Sequence, residues 1–122
     1  MDKLADYPQI IKQILTQYVE ISNRRPNPDI ETFLVIDETQ SHYMWMNLGW
    51  DKSQSKAGQT SERITGCTVY VRIKEGKFWI EEDWTEEGIA NELVSAGVPK
   101  EDIVLAFHEP SLRPYTDFAV AF

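Results

Sequence analysis

Leu4, Tyr7, Ile11, Ile14, Leu15 and Tyr18 recur at three- and four-residue intervals, the spacing that lines one face of an α-helix. Asp6 and Gln9 make a capping box around Pro8, which a first helical turn tolerates because the missing N–H has no partner there anyway. Further along, the period changes to two. Thr32, Leu34 and Ile36 alternate with Phe33, Val35 and Asp37, and Met44, Met46 and Leu48 alternate with Tyr43, Trp45 and Asn47. Cys67, Val69, Val71 and Ile73 alternate with Thr68, Tyr70 and Arg72 in the same way. Successive side chains of a strand point to opposite faces, so this repetition predicts a sheet. Glu75-Gly76, between Ile73 and Phe78, is a tight hairpin signal that makes neighbours antiparallel.

Thr85 then predicts a helix start, its hydroxyl accepting from first-turn amides, with Glu86 and Glu87 placed where the helix dipole favours negative charge. Ile89, Leu93 and Val94 continue at helical spacing. Gly97 and Pro99 end the helix at about Ala96. Ile103 to Phe107 is an unbroken apolar run, which reads as a strand covered on both faces. It leads to His108 and a polar loop before the chain turns apolar again at Phe118. The fold class is α+β: an N-terminal helix, a four-stranded mainly antiparallel sheet, a second helix, then one or two further strands, with the helices on one face.

At 122 residues the chain suits one domain, 1–122, and 42% hydrophobic with 11% aromatic residues argue a folded globule, not a disordered chain. Only Lys52 to Glu62 looks flexible. The lone Cys67 excludes a disulfide framework and a cysteine metal cluster, and fits a reducing compartment. The opening Met1-Asp2-Lys3 carries no signal-peptide core and no run spans a bilayer, so a cytoplasmic protein is expected. Twenty acidic against twelve basic residues give a net charge of −8, which opposes the phosphate neutralisation that dominates DNA affinity. The cations are dispersed, Arg24-Arg25 and the Arg72, Lys74, Lys77 group aside. Direct DNA binding is therefore disfavoured.

Two clusters could carry function. In Trp79 to Glu87, WIEEDWTEE, carboxylates interleave with two tryptophans. Either these acids face solvent and support a helix start, or Trp79, Glu81 and Asp83, on one strand phase, form a protein-binding patch with an exposed aromatic anchor. Metal binding by Glu81, Glu82 and Asp83 ranks behind both, since strand neighbours diverge and no calcium-loop motif is present. The second cluster is His108, Glu109, Arg113, Tyr115 and Thr116. His108 as a general base and Arg113 as an anion fork would make a small enzyme, yet Ser111 lacks a nucleophile motif, Cys67 sits mid-strand and His42 is remote in sequence. The leading expectation is that His108 and Arg113 satisfy buried carbonyls and tie the loop down, with an interaction surface including Tyr115 next and catalysis last. No catalytic residue, metal or cofactor is assigned.

The run EEGIANELVSAGVPKEDIVLAFH, then Arg113, then YTDFAVAF, resembles the C-terminal signature of the XisI-like proteins, the cyanobacterial fdxN-element excision controlling factors. The likeness extends upstream through the opening helix, ETFLVIDE, HYMWMNLGWD and GCTVYVRIKEGKFWIEED, in the family's order. One departure is Ala106, where the family has Gly before the Phe-His pair, which puts any close backbone approach there in question. The resemblance implies an accessory controlling factor for programmed excision of a DNA element. It would act as a non-catalytic protein-binding subunit beside a XisH-like, nuclease-type partner, touching DNA only indirectly, with homo-oligomerisation left open. The alternatives are the His108/Arg113 enzyme and a DNA-binding module.

Overall fold

The computed structural model describes residues 3–24, 28–51 and 61–119. Leu4's side chain, Arg25, residues 52–60 of the flexible-looking stretch and the last three residues lie outside the described set. Helix α1 spans Lys3–Asn23, and strands β1 (Ile30–Asp37), β2 (His42–Asp51), β3 (Glu62–Lys74) and β4 (Lys77–Asp83) follow. Helix α2 (Ile89–Ser95) then leads to β5 (Ile103–Leu105). The five strands lie in chain order, β1 to β4 antiparallel and β5 parallel to β4. A connection through a helix is what lets β5 run parallel.

Both helices pack on one face. Tyr7, Ile11, Ile14 and Leu15 of α1 and Ile89, Ala90 and Leu93 of α2 share one core with Tyr43, Val69, Val71, Phe78, Ile80 and Ile103 of the sheet. Tyr7 stacks on Phe78 with centroids 4.7 Å apart. Because α1 begins at Lys3, Pro8 sits beyond the first turn and the expected Asp6/Gln9 capping box does not start the helix. The turn at Glu75-Gly76 places both residues at positive φ, the geometry of a tight hairpin whose twist matches its strands. Gly97, at φ 100, closes α2: Val98 N donates to Leu93 O at 3.0 Å and Gly97 N to Val94 O at 3.0 Å. These two bonds satisfy carbonyls that a helix end leaves open, while buried Val98 and Leu93 join the same core.

Two β-bulges change the faces that simple alternation assigns. Trp45 pairs with Val69 but Met46 with Cys67, so Thr68 is an extra residue on β3. Cys67 is thereby turned to the sheet's outer face, away from Val69, Val71 and Ile73, and is half-buried. Likewise Val71 pairs with Ile80 but Tyr70 with Glu82, leaving Glu81 as the extra residue on β4. A bulge bends its strand and flips the phase beyond it. Pairing of β5 with β4 stops at Ile80↔Leu105, beside that bulge, so the fifth strand holds three residues and the chain turns at Ala106 and Phe107. Phe107 is consequently exposed, not covered on both faces.

The core contains a buried polar pair. Tyr7 donates its hydroxyl to Asp102 Oδ2 at 2.6 Å. Burial and then Asp102 push the Tyr7 pKa well above the ordinary value near 10; burial and Glu92 raise Tyr18, and burial and Glu38 raise Tyr43. The folded chain thus holds these protons more tightly than the unfolded chain. Stability from these groups is fully present below the unfolded pKa near 10 and is lost as pH rises through the folded values. Circular dichroism should accordingly show no loss of stability from tyrosine ionisation up to about pH 10 and a steep fall above it. A fall in stability from tyrosine ionisation that is already under way below about pH 9 would contradict this.

Candidate functional site

The Glu81 bulge takes apart the patch that Trp79, Glu81 and Asp83 were expected to form. Trp79 is buried, at 6% exposure, on the outer face of the sheet, where its indole N–H donates to Lys74 O at 3.0 Å. It packs with Val104, Ala119 and Ala106 in a second, smaller core that residues 106–119 close over β4 and β5. Glu81 accepts from Arg72 Nε at 3.0 Å and Nη2 at 2.9 Å, an ion pair that bridges β3 and β4. Asp83 points to the helical side. Its Oδ2 accepts from Ile89 N at 2.8 Å, and its Oδ1 from Thr85 N at 2.9 Å and the Thr85 hydroxyl at 2.6 Å.

Asp83 therefore does what Thr85 was expected to do. It satisfies a free amide at the start of α2, so the helix begins at Ile89. Thr85 instead accepts from Gly88 N at 3.2 Å, and Gly88, at φ 87, turns the loop into the helix. The loop 84–87 is held up against the sheet in this way, with Trp84 N donating to Thr68 O at 2.9 Å. The extra residue of the β3 bulge is the acceptor.

What this loop builds is a cleft of about 510 Å3 between α1, β2 and residues 84–87. Tyr18, Trp45 and Trp84 give it aromatic walls, and Thr85, Glu86 and Glu87 line its rim. Tyr18 stacks on Trp45 at 5.6 Å and donates to Glu92 at 3.4 Å. Behind burial, Glu92, Glu87 and Asp83 all help to raise the Tyr18 pKa, which places negative potential at the cleft wall. Trp84 is 75% exposed, its indole steadied by Glu82 Oε1 at 2.9 Å. The Trp45 indole N–H is buried and, among the described residues, has no acceptor. Aromatic faces and carboxylates together suit a cationic side chain.

The C-terminal loop is organised around Arg113. This residue is buried; its Nε donates to His108 O at 3.1 Å and its Nη2 to Ala106 O at 3.2 Å, and its guanidinium lies 5.9 Å from the Trp79 ring. The planar fork thus binds loop carbonyls, as expected for a tie. Ala106 accommodates that approach through its carbonyl while its side chain joins the second core. The Thr116 hydroxyl donates to Arg113 O at 2.9 Å and closes the turn. His108 rests its ring against Phe107, centroids 4.6 Å apart, and Glu109 and Ser111 are exposed. Tyr115 is 87% exposed at the loop's surface.

His42 is engaged elsewhere, its Nδ1 2.7 Å from the Tyr70 hydroxyl on β3, so the two histidines are not brought together. Among the described residues, no group of three His, Cys, Asp or Glu side chains converges as a metal site. No described helix is long and apolar enough to cross a membrane. The sequence reading missed the cleft, because Tyr18, Trp45 and Trp84 come from three separate elements. The one local signal was Trp84, inside the acidic-aromatic run.

Comparison with known proteins agrees with this architecture. The XisI protein family model matches residues 1–120. A XisI-like protein from Anabaena variabilis ATCC 29413 is 38% identical with a TM-score of 0.82, the match covering 97% of this chain and 99% of that one. The fdxN element excision controlling factor XisI from the same organism is 40% identical with a TM-score of 0.80, over 98% of this chain and 100% of that one. Among functionally curated proteins, none matches. A family match spanning nearly every residue, joined to two solved structures with the same fold over their full lengths, means that this chain belongs to the XisI family.

Proposed function

We propose that this chain is an accessory controlling factor for excision of a DNA element, a non-catalytic cytoplasmic subunit that binds a XisH-like, nuclease-type protein. Role and family go together here, since a relative of 40% identity carries the name of excision controlling factor. The observation that carries the protein-binding reading is the acidic-aromatic cleft. An exposed Trp84 beside Glu86 and Glu87 is the composition of an interface anchor, and its negative potential complements the basic groove of a nucleic-acid enzyme. The net charge of −8 works in the same direction, favouring a basic protein over a phosphate backbone.

Chemistry by this chain is opposed by where its reactive groups stand. Burial, with Glu82 behind it, pushes the Cys67 thiol up, away from the nucleophilic thiolate. Arg113 spends its donors on its own loop. Among the described cations, Lys12, Arg72 and Lys100 each pair with a carboxylate, Arg63 and Lys74 lie over the Trp50 and Trp79 rings, and Lys77 donates to Glu101 O, which argues against these side chains being held ready for phosphates.

The test is calorimetry of this chain with a purified XisH-like protein. Trp84→Ala should weaken binding about tenfold or more, as the loss of an exposed aromatic anchor does. Glu86→Lys with Glu87→Lys should slow association and flatten its salt dependence. Both changes lie at the surface, so the far-ultraviolet spectrum should not alter. Affinities equal to the native chain's in both variants would remove the cleft from the reading, and no complex with the native chain would remove the partner.

A further inference from the structure

The outer face of the sheet is covered unequally. Residues 106–119 and the second core cover Trp79 on β4 and Val104 on β5, and no residue of β1, β2 or β3 belongs to that cluster. Both helices lie on the other face. By register, Phe33 and Val35 of β1, Met44 and Met46 of β2, and Cys67 and Tyr70 of β3 share the outer face, and none of them belongs to either buried cluster. Val35 is 43% exposed. An antiparallel sheet that turns one face to water normally shows polar residues there. The centre of this face is apolar, and it is continuous with the Trp79 core through the pairing of β3 with β4.

We propose that the outer face of β1, β2 and β3 is where two copies of this chain meet, sheet on sheet about a two-fold axis. Near such an axis each residue lies opposite its own counterpart, so a charge at the centre would face a like charge. The centre of this face is Met44, Met46 and Cys67, flanked by Phe33 and Val35, all uncharged. The charged groups of this face stand around that centre: Glu31 and Asp37 at the two ends of β1, Arg63 beside Trp50, Glu82 opposite Tyr70, and Arg72 paired with Glu81 across β3 and β4, the arrangement of an apolar centre with a charged rim. Methionine adapts its shape to a copy of itself, which suits a self-facing surface.

Size supports the same occupant. Three strands about 4.8 Å apart, paired over roughly eight residues at about 3.4 Å each, present a footprint on the order of 400 Å2 in projection. Side-chain relief enlarges it, so a pair buries on the order of 1,000 Å2, the lower bound for a specific interface. An interface of that size suits a weak pair that dilution separates. Two chains of charge −8 repel each other, and salt screens that repulsion, so the pair tightens with salt whereas binding through the acidic cleft weakens. The two surfaces are therefore separable in one titration.

Sedimentation of the full chain should give a species of twice the 14.1 kDa chain mass at tens of micromolar, shifting toward the single chain on dilution. Val35→Glu, at the most exposed position of the patch, and Met46→Lys, at its centre, should each weaken the pair at least tenfold. Trp84→Ala should leave it unchanged. A native chain that stays single up to about 100 µM overturns the proposal, as does a pair that persists in both variants, which would place the contact elsewhere. Should either variant fail to fold, Cys67 of the native chain reads the face directly. Its reaction with a maleimide should be at least tenfold slower in concentrated than in dilute protein, and equal rates would overturn the proposal.

Discussion

Trp79→Ala is expected to destabilise the fold by about 3–5 kcal/mol, the range for removing a buried tryptophan, and to lower the melting temperature by roughly 10–20 °C. The indole is the centre of the second core. Without it Val104 and Ala119 lose their main apolar partner, Arg113 loses the ring face it lies against, and Lys74 O loses a donor. Domains of this size are stable by only about 5–15 kcal/mol, so one side chain accounts for a large fraction. Thermal melts of the native chain and the variant decide the matter. A loss below about 1 kcal/mol would mean that Trp79 behaves as a surface residue and that residues 106–119 do not depend on it.

Arg113→Ala is expected to cost about 2–4 kcal/mol, because it strands the carbonyls of Ala106 and His108 in a part-buried setting and removes a cation from the Trp79 ring. Arg113→Lys should recover only part of that loss. An ammonium lacks the planar fork that reaches two carbonyls at once. Limited proteolysis provides the local readout: cleavage within residues 106–119 should accelerate at least as much as global unfolding. Full rescue by lysine would show that the positive charge matters and the fork does not.

Much of the architecture was legible because it rests on period. Helical spacing in Tyr7, Ile11, Ile14 and Leu15, two-residue alternation in β1 and β2, the Glu75-Gly76 turn and the Gly97 stop are local signals, and each governs its own stretch. The bulges at Thr68 and Glu81 were not legible, since an extra residue is defined by the strand opposite it. Their effect was large: Cys67 changed faces, and the phase that put Trp79, Glu81 and Asp83 together was broken. The start of α2 failed for a related reason. Thr85 satisfied the rule for a cap, but the Asp83 carboxylate took the Ile89 amide, six residues further along, and Gly88 before the first buried residue was the overlooked cue. Arg113 was readable in kind, as a side chain able to tie carbonyls. Its place over Trp79 was not, because nothing in the chain links the two until the sheet forms.

The strands stand in the sheet in the same order as in the chain, and this shapes the route by which the chain folds. Three of the four pairings join strands separated only by residues 38–41, 52–61 and 75–76, so each closes a short loop at small entropic cost. Such low contact order favours rapid folding of the meander. The fourth pairing must wait for residues 84–102 to wrap back with α2, and only then can the segment after β5 settle on Trp79. Docking of β5 should therefore come after the rate-limiting step: mutations in the Trp79 core should speed unfolding with little effect on the folding rate, whereas mutations in the β2–β3 ladder should slow folding itself.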